Sequence, residues 1–109
     1  MAVTPEGKIK RMVQKVLAEF FDDSLIGTGL YSYWPVPTGF GASSLDCIVC
    51  YRGHFIAIET KAPGKKPTPR QELTIAQIQH GGGMVFVIDS EVGVHELRVV
   101  LQRLKDASV

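Results

Sequence analysis

The stretch Asp46-Cys47-Ile48-Val49-Cys50-Tyr51-Arg52-Gly53-His54-Phe55-Ile56-Ala57-Ile58-Glu59-Thr60-Lys61 decides the fold of this 109-residue chain. Two runs rich in β-branched and apolar residues flank Arg52-Gly53, and a pair ending in Gly between such runs reads as the two-residue turn of a β-hairpin. With Tyr51 opposite His54, antiparallel register continues through Cys50 with Phe55, Val49 with Ile56 and Ile48 with Ala57, so Asp46 falls opposite Glu59. Directly opposed side chains have Cβ atoms about 4.5–5.5 Å apart. Two carboxylates at that spacing on a half-buried sheet repel each other with little screening, and a divalent cation would offset the repulsion. Period-two alternation puts Phe55, Ala57, Glu59 and Lys61 on one face, beside Asp46, Ile48 and Cys50. Oxygen ligands on a rigid sheet suit a hard ion such as Mg²⁺ or Mn²⁺, which takes one or two carboxylates together with waters and substrate phosphate oxygens. The plainer alternative is an acidic pair at a sheet end with Lys61 as its ion-pair partner. A turn longer by one residue would send Asp46 to the opposite side.

Upstream, Gly39-Phe40-Gly41-Ala42-Ser43-Ser44 reads as a flexible loop, and Leu30-Tyr31-Ser32-Tyr33-Trp34 as a strand stopped by Pro35 and Pro37. Before it, Thr4 caps a helix whose first position is Pro5, with Ile9, Met12, Val13, Val16, Leu17 and Phe20 recurring at helical spacing. Downstream, residues 62–67 form a basic linker, and Thr68-Pro69-Arg70-Gln71 opens a helix reaching about His80 with Thr at the N-cap, Pro at N1 and Gln at N3, a capping box. Gly81-Gly82-Gly83 stops it, and Met84-Val85-Phe86-Val87-Ile88 is an apolar, buried strand of the parallel kind, reached by a right-handed crossover. A last amphipathic helix carries Val94, Leu97, Val100, Leu101 and Leu104. The expected order is helix, three strands, helix, strand, helix.

At 109 residues and 45% hydrophobic content, the chain supports one core and reads as a single domain, 1–109. A net charge of +1 neither requires nor excludes nucleic acid, so the distribution matters more. Lys8, Lys10, Arg11 and Lys15 cluster near the start, while Arg52, Lys61, Lys65, Lys66 and Arg70 surround the acidic pair. No apolar run reaches the roughly 18 residues of a membrane span, and no signal-peptide core is legible, so a soluble, cytoplasmic protein without a membrane partner is expected. Cys47 and Cys50, three apart in a strand, point to opposite faces and read as reduced, buried packing residues. Tyr31, Tyr33, Trp34 and Phe40 have the chemistry to stack on unpaired bases, but aromatics in a strand read first as core. His54, His80 and His95 form no nucleophilic or general-base arrangement with Ser, Cys or Asp.

Asp46, the Glu59-Thr60-Lys61 triplet, the Thr68-Pro69-Arg70-Gln71 helix start and the order of elements together resemble the PD-(D/E)XK nuclease superfamily, and within it the small stand-alone VRR-NUC nucleases carried by phages and bacteria. The resemblance covers nearly the whole chain, including Glu6 at the start of the first helix; it departs at Ser44-Leu45, where the family often has Pro before its aspartate. It implies a restriction-endonuclease-like αβββαβ core, a mixed central sheet flanked by helices, with an added C-terminal helix. It further implies a Mg²⁺- or Mn²⁺-dependent endonuclease that hydrolyses DNA phosphodiesters, with Asp46, Glu59, the Thr60 carbonyl and, directly or through water, Glu6 as metal ligands. Lys61 would orient water or stabilise charge on the phosphate, Gln71 would support the site, and Lys65, Lys66, Arg70 and Arg52 would contact DNA. Branched DNA of the Holliday-junction type and a homodimeric state are also implied, in a bacterial cytoplasm if the chain is phage-encoded. Two rivals are a DNA-binding module without catalysis and a protein-interaction domain. Gln71 and Glu6 each have a sufficient structural role, in the capping box and at the helix dipole.

Overall fold

In the computed structural model, which describes residues 3–36 and 44–107, the elements follow the expected order. They are α1 (Pro5–Glu19), β1 (Leu30–Tyr33), β2 (Cys47–Tyr51), β3 (His54–Thr60), α2 (Pro69–His80), β4 (Met84–Ile88) and α3 (Glu91–Ala107). The strands form one mixed sheet in the order β1-β2-β3-β4, antiparallel through β3 and parallel between β3 and β4. The glycine-containing loop with Phe40 lies outside the described residues, apart from Ser44.

The hairpin has the register expected from its turn: Tyr51 pairs with His54, Cys50 with Phe55, Val49 with Ile56 and Ile48 with Ala57. Arg52 (φ 50°) and Gly53 (φ 82°) both occupy the left-handed region, as the tight turns that match strand twist require. For Arg52 that conformation carries a steric cost, and its guanidinium lies 5.4 Å from the Tyr51 ring centroid.

Alternation along the strands separates two faces. Cys47, Val49, Tyr51, Ile56, Ile58 and Ile88 point towards α1 and α3, which pack against each other and close the main core with Val13, Val16, Leu97 and Leu101. α1 begins as its sequence dictates, with the Thr4 hydroxyl accepting from the Gly7 N–H at 3.0 Å and Pro5 in the first turn. α2 lies on the other face, over β4 and the neighbouring part of β3. Gly83 makes this packing close: a Cβ there would stand 2.7 Å from Ile78 Cγ2 and 2.9 Å from Phe55 Cδ1.

Three side-chain expectations are corrected. Tyr31 and Tyr33 are 63% and 52% exposed, because they alternate away from the α1 side and, among the described residues, α2 on the other side packs over β4 rather than β1. Trp34 does pack against the core. Cys50 is exposed for the same reason as the tyrosines, whereas Cys47 is buried, its thiol pushed up to about 12 by desolvation. β4 is an edge strand with only Ile88 fully buried and Val87 exposed, since it pairs with β3 alone. Among the described residues no helix is long and apolar enough to cross a membrane.

Candidate active site

β2 and β3 end side by side on the α2 face of the sheet, and their last pairing, Cys47 with Ile58, carries Asp46 to the position opposite Glu59. Asp46 is tied to both Glu59 and Thr60 across the hairpin. The Asp46 N–H donates to Glu59 Oε1 at 3.2 Å, while Asp46 Oδ2 accepts from the Thr60 N–H at 2.8 Å and from the Thr60 hydroxyl at 2.9 Å. The Lys61 N–H is directed the other way, to the Ile88 carbonyl of β4 at 2.9 Å. Strand alternation therefore turns the Thr60 backbone groups, its carbonyl included, towards Asp46.

Glu59 is 2% exposed and has two further partners. Lys61 Nζ lies 3.3 Å from its Oε2, and Gln71 Nε2 donates to that oxygen at 2.6 Å. The Gln71 amide joins two structures. Its Oε1 accepts from the Thr68 N–H at 2.9 Å, completing the capping box of α2, and a backbone N–H can only donate, which fixes Nε2 as the end facing Glu59. The helix cap and the support of Glu59 are thus the same side chain.

Desolvation pushes the Glu59 carboxyl above its ordinary range, and the negative charge of Asp46 adds to that, with Lys61 opposing. A carboxylate raised in this way gains from any additional cation nearby. Asp46 Oδ2 is occupied by Thr60, whereas among the described residues no donor reaches Asp46 Oδ1. Two carboxylates and a neighbouring backbone carbonyl form an all-oxygen donor set that fits Mg²⁺ or Mn²⁺ with solvent or phosphate completing the shell.

Glu6 sits in the first turn of α1, and among the described residues no group of three or more His, Cys, Asp or Glu side chains is placed to hold a metal ion. Lys65 and Lys66 are exposed on the segment leaving β3, which is anchored by the Gly64 N–H donating to Asp89 Oδ2 at 3.3 Å. Arg70 lies in the first turn of α2. These three cations share the Asp46–Glu59 end of the sheet. Arg52 occupies the hairpin turn at the opposite end and is not brought to the pair.

The Thr60 side chain was not legible as part of the site, because its hydroxyl meets Asp46 only through pairing across the hairpin. The exposed Tyr33 lies on the same face as the carboxylates, opposite Ile48 and two residues along β2 from Asp46. Comparison with protein-family models and with curated protein sequences gives no match to this chain.

Proposed function

We propose that this chain is a divalent-metal-dependent DNA endonuclease with a restriction-endonuclease-like core, hydrolysing phosphodiesters at the Asp46–Glu59 pair. The single observation that carries this reading is the convergence about Glu59 of the Asp46 charge, a lysine and a glutamine amide at one end of the sheet. Structural ion pairs seldom place two carboxylates side by side in a buried strand, since the repulsion opposes folding.

In this reading Asp46 and Glu59, with the Thr60 carbonyl, hold Mg²⁺ or Mn²⁺. The ion would acidify water and neutralise charge on the phosphate. Thr60 holds Asp46 in place through two hydrogen bonds, and Gln71 does the same for Glu59 from the start of α2. Lys61 brings a positive charge to the face where negative charge develops on the phosphoryl oxygens. Lys65, Lys66 and Arg70 contact the DNA backbone and make binding salt-dependent. Branched DNA of the Holliday-junction type is the proposed substrate and a homodimer the proposed state. Exposed Phe21, Leu25 and Ile26 beyond α1 are suited to burial against a second copy.

A DNA-binding module without catalysis is the second reading, favoured by the ion pair with Lys61, which already neutralises Glu59 in part without a metal. Incubating the purified protein with four-way junctions, flaps, single strands and linear duplex in Mg²⁺ or Mn²⁺ separates the two. Metal-dependent cleavage, inhibited by chelator, is expected; binding without cleavage under either metal would reject the nuclease reading.

A further inference from the structure

The α2 face of the sheet is arranged in rows across the strands. Asp46 and Glu59 form the row at the end away from the hairpin turn. Tyr33, Ile48 and Ala57 form the next, and Tyr31, Cys50 and Phe55 the one after it. α2 covers the β4 side, leaving Tyr31 and Tyr33 as a two-ring patch on the strand farthest from it. We infer that Tyr31 and Tyr33 are a stacking platform for an unpaired nucleic-acid strand leading away from the cut phosphodiester, so that the substrate is one whose bases are unstacked beside the site. The inference deepens the proposed activity and rests on it for the position of the cut.

Three features favour this occupant over a protein surface. The first is continuity: Tyr33 lies about 7 Å along the strands and one strand spacing, about 5 Å, across from Asp46, within a nucleotide's reach of the carboxylates. The second is ring spacing. Residues two apart on a strand are separated by about 7 Å, roughly twice the 3.4 Å rise per base, so the rings can engage alternate bases or the splayed bases of an extended strand. The third is charge and chemistry. Lys61, Lys65 and Lys66 at the adjoining end attract a phosphate backbone, and tyrosines present flat apolar rings suited to any base. A fully stacked duplex offers its bases only at its ends, so the platform selects junctions, flaps and single strands over continuous duplex.

The test measures binding without divalent ions, by fluorescence anisotropy of a labelled oligothymidylate and a labelled duplex in chelator, with cleavage in Mn²⁺ as a parallel arm. Tyr31 and Tyr33 are exposed, so Tyr31→Ala, Tyr33→Ala and the double variant should fold; Tyr33→Phe keeps the ring, and Val92→Ala in α3 serves as an exposed apolar control. Tyr33→Ala is expected to bind the oligothymidylate about tenfold more weakly and the double variant more weakly still. Tyr33→Phe and Val92→Ala should bind as the parent does, and duplex affinity should stay unchanged in all variants. Equal single-strand affinity in parent and double variant would overturn the platform, as would equal weakening of duplex binding. A change of oligomeric state in the double variant without loss of single-strand binding would assign the face to contacts between copies and overturn it as well. Cleavage with tyrosine-independent binding rejects the platform and leaves the nuclease; tyrosine-dependent binding with no cleavage rejects the nuclease and leaves the platform.

Discussion

Gln71 uses both ends of one amide, Oε1 on the Thr68 N–H and Nε2 on Glu59, and this makes the helix cap and the carboxylate separable by mutation. Gln71→Leu removes both contacts and should lower stability by about 1–3 kcal/mol in urea unfolding. Gln71→Glu keeps an acceptor for the Thr68 N–H but opposes Glu59 with a further carboxylate, so it should lose most cleavage. Cleavage at the parent rate in Gln71→Glu would show that the Nε2 contact has no part in turnover. Glu59 itself gives a pH signature. Its folded-state pKa lies above the ordinary 4.5, so the folded protein holds this proton over a range where the unfolded chain has lost it. Stability relative to Glu59→Gln should therefore be greatest below pH 4.5 and be lost as pH rises from there through the folded-state value, in unfolding curves without metal. A gap that widens in favour of the parent as pH rises would contradict the assigned cause. In sequence, Gln71 is visible as a cap because Thr68-Pro69-Arg70-Gln71 is a local pattern, but its contact with Glu59 depends on how α2 docks, which no local pattern encodes.

Elements were the most legible level. Arg52-Gly53 sets the hairpin, and the hairpin sets the register that brings Asp46 opposite Glu59. Thr4-Pro5 and Thr68-Pro69 mark the two helix starts, because a hydroxyl and a missing N–H are the groups a helix N-terminus needs. The exposure of Tyr31, Tyr33, Cys50 and Val87 was not legible. An apolar residue in a strand is buried only if a layer covers its face, and here α2 covers one half of the sheet. The close seat of α2 depends on Gly83. In Gly83→Ala the added methyl would meet Ile78 and Phe55 well inside contact distance and the Ile78 carbonyl oxygen at 3.2 Å. A loss of about 1–3 kcal/mol is expected from thermal or urea unfolding. Because α2 carries Gln71, cleavage should fall with it; unchanged stability would mean that α2 sits farther from β3 and β4.

Over the whole molecule, the groups of the proposed site collect at one end of one sheet face: Asp46, Glu59, Lys61 and Gln71 around the pair, with Lys65, Lys66 and Arg70 on the adjoining segments. The opposite face is given over to the core beneath α1 and α3. A net charge of +1 hides this segregation, which is why composition alone pointed to no partner. The division predicts that residues of the pair govern turnover while exposed cations govern affinity. The most direct measurement is cleavage of a four-way junction in Mn²⁺ by the parent, Asp46→Ala and Lys61→Ala, with DNA affinity measured in chelator on the same preparations. The parent should cut; both variants should lose at least about a hundredfold in rate while binding DNA nearly as well. Cleavage by Asp46→Ala at the parent rate would contradict the assignment of the Asp46–Glu59 pair as the hydrolytic centre.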